Sequence, residues 1–381
     1  MASQPSPVTS AVIAWAVAED GRDVDQIADA LKVDVDTLSG WTNGALRPSR
    51  GQVTLLAKTL NRPRALFFLP APPVAASLPA SFRHPPGDGA REVGPEARRR
   101  VRQARRVQRA VSWALRDESP VEVPLRAIAD SPEQAADEAR RWLGVSDEDQ
   151  RIWRDGYQAL AAWRDALDNG GVLVFASEIG ADDVRGFSAW DEQAPLIVAN
   201  ISAVSPEARC FTLAHELGHL VLRKDATCLE LRGDLSDAAV ERWCEAFGAS
   251  LLMPRGAVLS LTRSLGVDDQ SADLDDVRAI AAAFRASHRA AALRLIDLGL
   301  ARRSLYAAVV AAFRPKPSTP TDPRTPFRRP ARSTLRQREY GPRALRTVLQ
   351  DLPPRDALSV LRVTVDDVRR IADEVPGVPA F

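Results

Sequence analysis

Histidine is scarce in this chain. Four occur in 381 residues, and two of the four stand in one short stretch, CFTLAHELGHLVL (210–222). Cysteine is scarcer still, with only Cys210, Cys228 and Cys244. Three thiols cannot all pair, which excludes a disulfide scaffold and suits a reducing cytoplasm. Long apolar runs are missing too. Arg or Asp interrupts the alanine-rich stretches every few residues, so none reaches the ~20 residues a membrane span needs. The opening segment MASQPSPVTSAVIAWAVAED has no basic leader before its apolar part, which argues against a secretory signal. Nor does one charge dominate: 51 Lys plus Arg face 50 Asp plus Glu, so the whole chain is no polycation. A cytoplasmic protein with no membrane partner is expected.

What is present divides the chain into blocks. A 45% hydrophobic content is ordinary for a globular protein, and the length suffices for two or three cores. Residues 1–70 read as helices with short turns, and 71–94 as a Pro-rich linker. Residues 95–255 form a mixed domain, with 256–312 as its helical extension. A Pro/Arg-rich linker at 313–333 leads to a small helical tail at 334–381. Strand candidates are GVLVFAS (171–177), VRGFSAW (184–190) and PLIVAN (195–200), separated by acidic or Gly-containing turns. The expected fold class is α+β: a helical N-terminal domain, a small antiparallel sheet beside helices, and a helical C-terminal region.

The histidine-bearing stretch follows Ser205-Pro206, an N-cap with proline at the first helical position. Apolar residues surround this helix, yet Thr212, His215, Glu216 and His219 fall along one stripe. His215 and His219 are one turn apart, so both imidazoles project from one face about 6 Å apart. With Glu216 they spell H-E-x-x-H, in which two histidines hold zinc and the glutamate serves as general base. Two surface histidines would give the same letters, but a helix this apolar does not face water on its other sides. The stripe is therefore expected to line a cavity in the core.

Catalytic zinc takes a third protein ligand and leaves a position for water. Asp225, Glu230, Asp234, Asp237 and Glu241 are the carboxylates that follow. Glu241 is favoured because it lies on the next strongly apolar helix, with Glu245 one turn later behind it to orient a ligand histidine. FTLAHELGHLVL followed by VERWCEAFGASLLMP resembles the ImmA/IrrE family of zinc metallopeptidases, and the lead-in DVRGFSAWDEQAPLIVAN matches the strand and turn before that family's metal helix. The resemblance covers roughly residues 150–300. It implies a zincin-like domain, Zn2+ as cofactor, and Glu241 as third ligand. Glu245 stands where the family has Asn or Asp. The implied chemistry is peptide hydrolysis with Glu216 as general base. Tyr157, Tyr306, Arg185 and His288 are candidates for the oxyanion donor. PLIVAN could present an edge for an extended peptide.

DQIADALKVDVDTLSGWTNG (25–44) has helix–turn–helix patterning, with Ile27, Ala28 and Leu31 on one face and Leu38 and Trp41 anchoring the second helix. Together with TLLAKTLNRP it resembles the N-terminal domain of XRE-type regulators. That implies double-stranded DNA as a partner and nucleoid association, with Thr37, Thr42, Asn43, Arg47 and Arg50 as contact candidates. The charges oppose it. Asp23, Asp25, Asp29, Asp34 and Asp36 stand against Lys32 alone, a net of 1 − 5 = −4. The arginine-rich stretch REVGPEARRRVRQARRVQRA (91–110) reads as an exposed amphipathic helix, pairing with acidic neighbours such as SPEQAADEARRWL or binding phosphate. The expected function is cleavage of a repressor or similar regulator, the partner being a repressor or antitoxin with its own helix–turn–helix. The alternatives are a DNA-binding regulator whose zincin-like domain senses without turnover, or the toxin of a toxin–antitoxin or prophage module.

Overall fold

The computed structural model describes residues 7–73, 82–83, 94–180, 184–202, 204–223, 235–313 and 330–379. Most of the 71–94 and 313–333 linkers, together with Cys228, Asp225, Glu230 and Asp234, lies outside the described residues, as does the side chain of Asp237. The chain divides into two compact units: Met1–Leu78 with Gly87–Gln103, and Pro79–Pro86 with Ala104–Phe381.

In the first unit, helices α1 (Ser10–Ala18), α2 (Val24–Leu31), α3 (Val35–Asn43) and α4 (Arg50–Thr59) are followed by a 3-10 turn at Arg64–Phe68. Their apolar stripes meet in one core built on Ile13, Ile27, Leu38, Trp41, Val53, Leu56 and Phe67. Lys32 closes α2 in the left-handed region, and the Asp34 carboxylate accepts from Thr37 N to cap α3. Ser49 and Gln52 form a capping box on α4. α2 and α3 are thus two short helices joined by the three residues Lys32 to Asp34.

The second unit carries the sheet. Strand β1 (Phe82–Arg83) precedes helix α5 (Pro95–Ala114), whose residues up to Gln103 belong to the first unit, and helices α6 (Pro132–Leu143), α7 (Asp147–Ile152) and α8 (Gly156–Asn169). Then come β2 (Leu173–Ser177), β3 (Gly186–Ala189) and β4 (Leu196–Asn200) in the order β1-β3-β4-β2. The three longer strands lie where the apolar runs place them, but the sheet is mixed rather than antiparallel. β3 pairs antiparallel with β4, whereas β2 runs parallel to β4 with Leu173 opposite Leu196. The reason is connectivity: β3 and β4 form a hairpin, and β2 takes β4's other side. β4 is buried at every position, as a strand paired on both edges should be. PLIVAN is therefore an interior strand and offers no free edge to a peptide.

Helix α9 (Pro206–Val221) packs against the sheet, and α10 (Leu235–Leu252) packs against α9. Glycine sets that helix–helix distance. A Cβ at Gly218 would lie 3.2 Å from Cys244 Cα, and one at Gly248 would lie 3.2 Å from His215 N. The end of α10 is tied down by buried arginines. Arg140 donates to the Leu251 carbonyl at 2.7 Å and to Gln150, and pairs with Asp147 at 3.0 Å. Arg294 donates to the Met253 carbonyl at 2.9 Å and pairs with Glu133. Charged donors to otherwise orphaned carbonyls of this kind are worth about 1.5–3 kcal/mol each.

Helices α11 (Arg255–Leu265), α12 (Leu274–Phe284), α13 (His288–Asp297) and α14 (Ser304–Ala312) complete this core. α15 (Arg332–Asp351), α16 (Pro354–Leu361) and α17 (Val365–Glu374) follow. α15 is broken at Gly341 (φ 73°) before Pro342, where the backbone passes close to the Val174 carbonyl. Tyr340 meets Phe175 edge-on at 5.1 Å, and Asp168 accepts from Arg343 N at 3.1 Å, so α15 covers the outer side of β2.

The arginine-rich helix is not the exposed rod expected. Its apolar positions Val101, Ala104, Val107 and Val111 are buried, and between 98 and 109 only Arg109 is classed as exposed. Its arginines pair with Glu96 and donate to the Glu19 carbonyl, Gln108 and Ser359. An apolar stripe this regular draws the flanking guanidinium stems down with it.

Candidate metal centre

Three side chains converge where α9 meets α10. His215 Nε2 and His219 Nε2 lie 3.2 Å apart, as expected for ring nitrogens one helical turn apart that turn toward a common point. Glu241 closes the triangle, with Oε2 at 3.3 Å from His215 Nε2 and Oε1 at 3.4 Å from His219 Nε2. All three donor atoms lie within 4.8 Å of one another. The histidines are buried, while the Glu241 side chain is 45% exposed. The stripe therefore does not line a closed cavity. The cluster has a buried floor and one side open to solvent.

Burial, reinforced by the neighbouring His215 and opposed by Glu241, pushes the His219 pKa down to about 3. The ring is therefore neutral near pH 7. A neutral imidazole presents a lone pair, and two of these with one carboxylate are the donors a divalent transition ion takes in a three-ligand site. The residues fit a metal ion. Cys210, buried with its thiol pushed up to about 12, adds no thiolate to this set.

Glu216 is fully buried beside the cluster but is no part of it. Its Oε2 accepts from Ser188 Oγ at 2.8 Å. Sequence reading missed Ser188, as well as two buried amides that hold the surrounding backbone. Asn200 donates to the Gly180 and Val184 carbonyls and accepts from Ile179 N and Ser202 N, fixing the approach to β3. Gln108 donates to the Ala189 and Ala194 carbonyls, tying together the ends of the β3–β4 hairpin. The available signal was a polar residue ending an apolar strand, and another in apolar phase on a helix.

Glu245 is exposed on α10, one turn beyond Glu241. Tyr157 is 69% exposed, and His288 lies flat on the Phe313 ring with centroids 3.8 Å apart. Tyr306 packs beside the core, and the Arg185 carbonyl accepts from Asn200 N. In the first unit Thr42 bonds back to the Ser39 carbonyl and Asn43 accepts from Ala45 N, so both serve the end of α3. Thr37 lies in the first turn of α3, and Arg47 and Arg50 are exposed.

The stretch that builds this centre also matches a known family. Residues 167–295 align with Peptidase_M78, the IrrE N-terminal-like domain. The segment holding the centre thus resembles an IrrE-like metallopeptidase domain. Two relatives support this. The radiation response metalloprotease IrrE of Deinococcus radiodurans is 32% identical over 83 residues, which is 20% of this chain and 25% of that protein. Its counterpart in Deinococcus deserti is 33% identical over 112 residues, 27% of this chain and 40% of that protein. The chain thus spans well under half of these relatives. The IrrE-like domain takes in β2 to β4, α9 and α10, and leaves out α1 to α4. Among the described residues no helix is long and apolar enough to cross a membrane.

Proposed function

We propose that this protein is a zinc-dependent endopeptidase that cleaves a transcriptional repressor or a similar regulatory protein. The observation that carries the reading is the division of labour on α9. His215 and His219 converge with Glu241, while Glu216, in the same turn, is outside that cluster and accepts from Ser188. His215, His219 and Glu241 would hold the ion, which when bound polarises a carbonyl and lowers the pKa of water to about 7. Glu216 takes the proton of the attacking water and passes it to the leaving amine. The open side at Glu241 admits the peptide. Incubating the purified zinc-loaded chain with a helix–turn–helix regulator encoded beside it, and reading fragments by mass spectrometry, tests the substrate class. An intact regulator would exclude that partner.

Glu245 sits one turn from Glu241, and in this reading it orients a ligand. Glu245→Ala should then keep the fold and weaken zinc binding about 10–100-fold. Zinc affinity equal to wild type, by competition with a chromogenic chelator, would remove Glu245 from the site.

The first unit is the proposed DNA or partner module. Asp23, Asp25, Asp29, Asp34 and Asp36 are all exposed, against Lys32, Arg47 and Arg50. With so few cations along α2 and α3 to neutralise phosphate, residues 1–70 alone should bind random duplex DNA no more tightly than about 10⁻⁶ M at physiological salt, and the arginine-rich helix should be needed to raise that affinity. Anisotropy titration checks this. Nanomolar, sequence-selective binding would show that base contacts outweigh the acidic face.

A further inference from the structure

We propose that Ser188 is the positioning residue for Glu216, an inference that rests on the peptidase reading above. β3 is locked in register against β4, with Gly186 opposite Ala199 and Ser188 opposite Ile197. Alternate residues of a strand share a face, so Gly186 and Ser188 both address α9. The approach is tight: a Cβ at Gly186 would lie 2.5 Å from Thr212 Cγ2, 2.8 Å from the Val198 carbonyl oxygen and 3.5 Å from Glu216 Oε1. Glycine at 186 is what lets the strand come this near. Two residues on, the Ser188 hydroxyl reaches Glu216 Oε2 at 2.8 Å, with the serine 5% and the glutamate 0% exposed.

The chemistry gives this bond a purpose. A glutamate side chain has three rotatable torsions, and a general base must stay within hydrogen-bond reach of the proton it takes. A hydroxyl donating to a buried carboxylate is a charge-assisted bond, which fixes one oxygen in place. With Oε2 committed to Ser188, the water's proton passes to Oε1 as the water's O–H bond breaks and its oxygen bonds to the carbonyl carbon. It leaves Oε1 for the amine nitrogen as the C–N bond breaks. Ser188 keeps its own proton throughout, so its role is aim. Misplacing a reacting group by 1 Å can cost 10²-fold.

Four full-length chains separate aim from packing: wild type, Ser188→Ala, Glu216→Met and the double variant. In metal-free protein, Ser188→Ala should lower the urea midpoint, because a buried carboxylate loses the Ser188 donor. In the Glu216→Met background the same change should leave the midpoint where it was. Equal losses in both backgrounds would overturn the proposal. A second readout uses Co2+-loaded chains titrated with acetohydroxamate, whose chelating group gives up its hydroxyl proton to a nearby base. Ser188→Ala should raise the acetohydroxamate Kd about 10-fold with Co2+ affinity unchanged, and Ser188→Thr, which keeps the hydroxyl, should recover most of it. Wild-type acetohydroxamate affinity in Ser188→Ala would also overturn it. Failure of the wild-type chain to take up Co2+ counts against the metal centre alone, since the urea comparison needs no metal.

Discussion

His215→Ala/His219→Ala should abolish metal binding. The wild-type chain should carry close to one zinc, and the double variant less than about a tenth of that. Removing both imidazoles leaves Glu241 as the one donor of the triangle, 45% exposed and competing with water. Full structural zinc sites are worth about 10–16 kcal/mol over four ligands, or roughly 3 kcal/mol per ligand, so losing two costs roughly 6 kcal/mol, about 10⁴-fold in affinity. His219→Ala alone should already reduce the content sharply. The same loss should appear in stability, since a ligand at 1,000 times its Kd adds about 4 kcal/mol. Zinc should raise the wild-type Tm and leave that of the double variant where it was. Elemental analysis of purified protein decides the matter, and full zinc in the double variant would remove the assignment.

The parts of the molecule that the sequence specified are those where local pattern and chemistry agree. Ser205-Pro206 opens α9 where expected, and the H-E-x-x-H spacing brings two imidazoles to one point because helical geometry allows nothing else. Glu241 needed more than spacing, because it stands on a different helix. The glycines at 218 and 248 that let α10 approach α9 turn a downstream carboxylate into a near neighbour. The strands were visible as apolar runs, but their partners were not. Nothing in LVFAS or LIVAN says that they run parallel, since period-two patterning carries no direction. Ser188 was hidden for a similar reason. A serine in a short strand has no signature until the register places it against a buried carboxylate 28 residues away.

The arginine-rich helix illustrates the opposite error. The amphipathic reading agrees with the burial of Val101, Ala104, Val107 and Val111, but the arginines that were expected to be exposed are mostly half-buried. Gln108, in the same apolar phase, proved to be a buried donor to two carbonyls rather than a surface amide. The aspartates of α2 and α3 lie off the buried apolar faces of those helices, and the charge reading matches their exposure.

Glu216→Gln is the substitution that separates a peptidase from a sensor. Glu216 is absent from the converging donor triangle, so zinc content should be unchanged. The amide oxygen still accepts from Ser188, so packing and fold should hold as well. What the amide cannot do is take a proton from the attacking water, and removing a general base costs about 10²–10⁴-fold. Cleavage of the partner regulator, followed as fragment release over time with wild-type and Glu216→Gln chains at equal zinc occupancy, is the most direct measurement. The expected result is a partner cut by the wild type and left whole by Glu216→Gln at the same time points. Equal cleavage by the two chains, or wild-type relief of repression in cells by Glu216→Gln at full zinc, would contradict hydrolysis at this site.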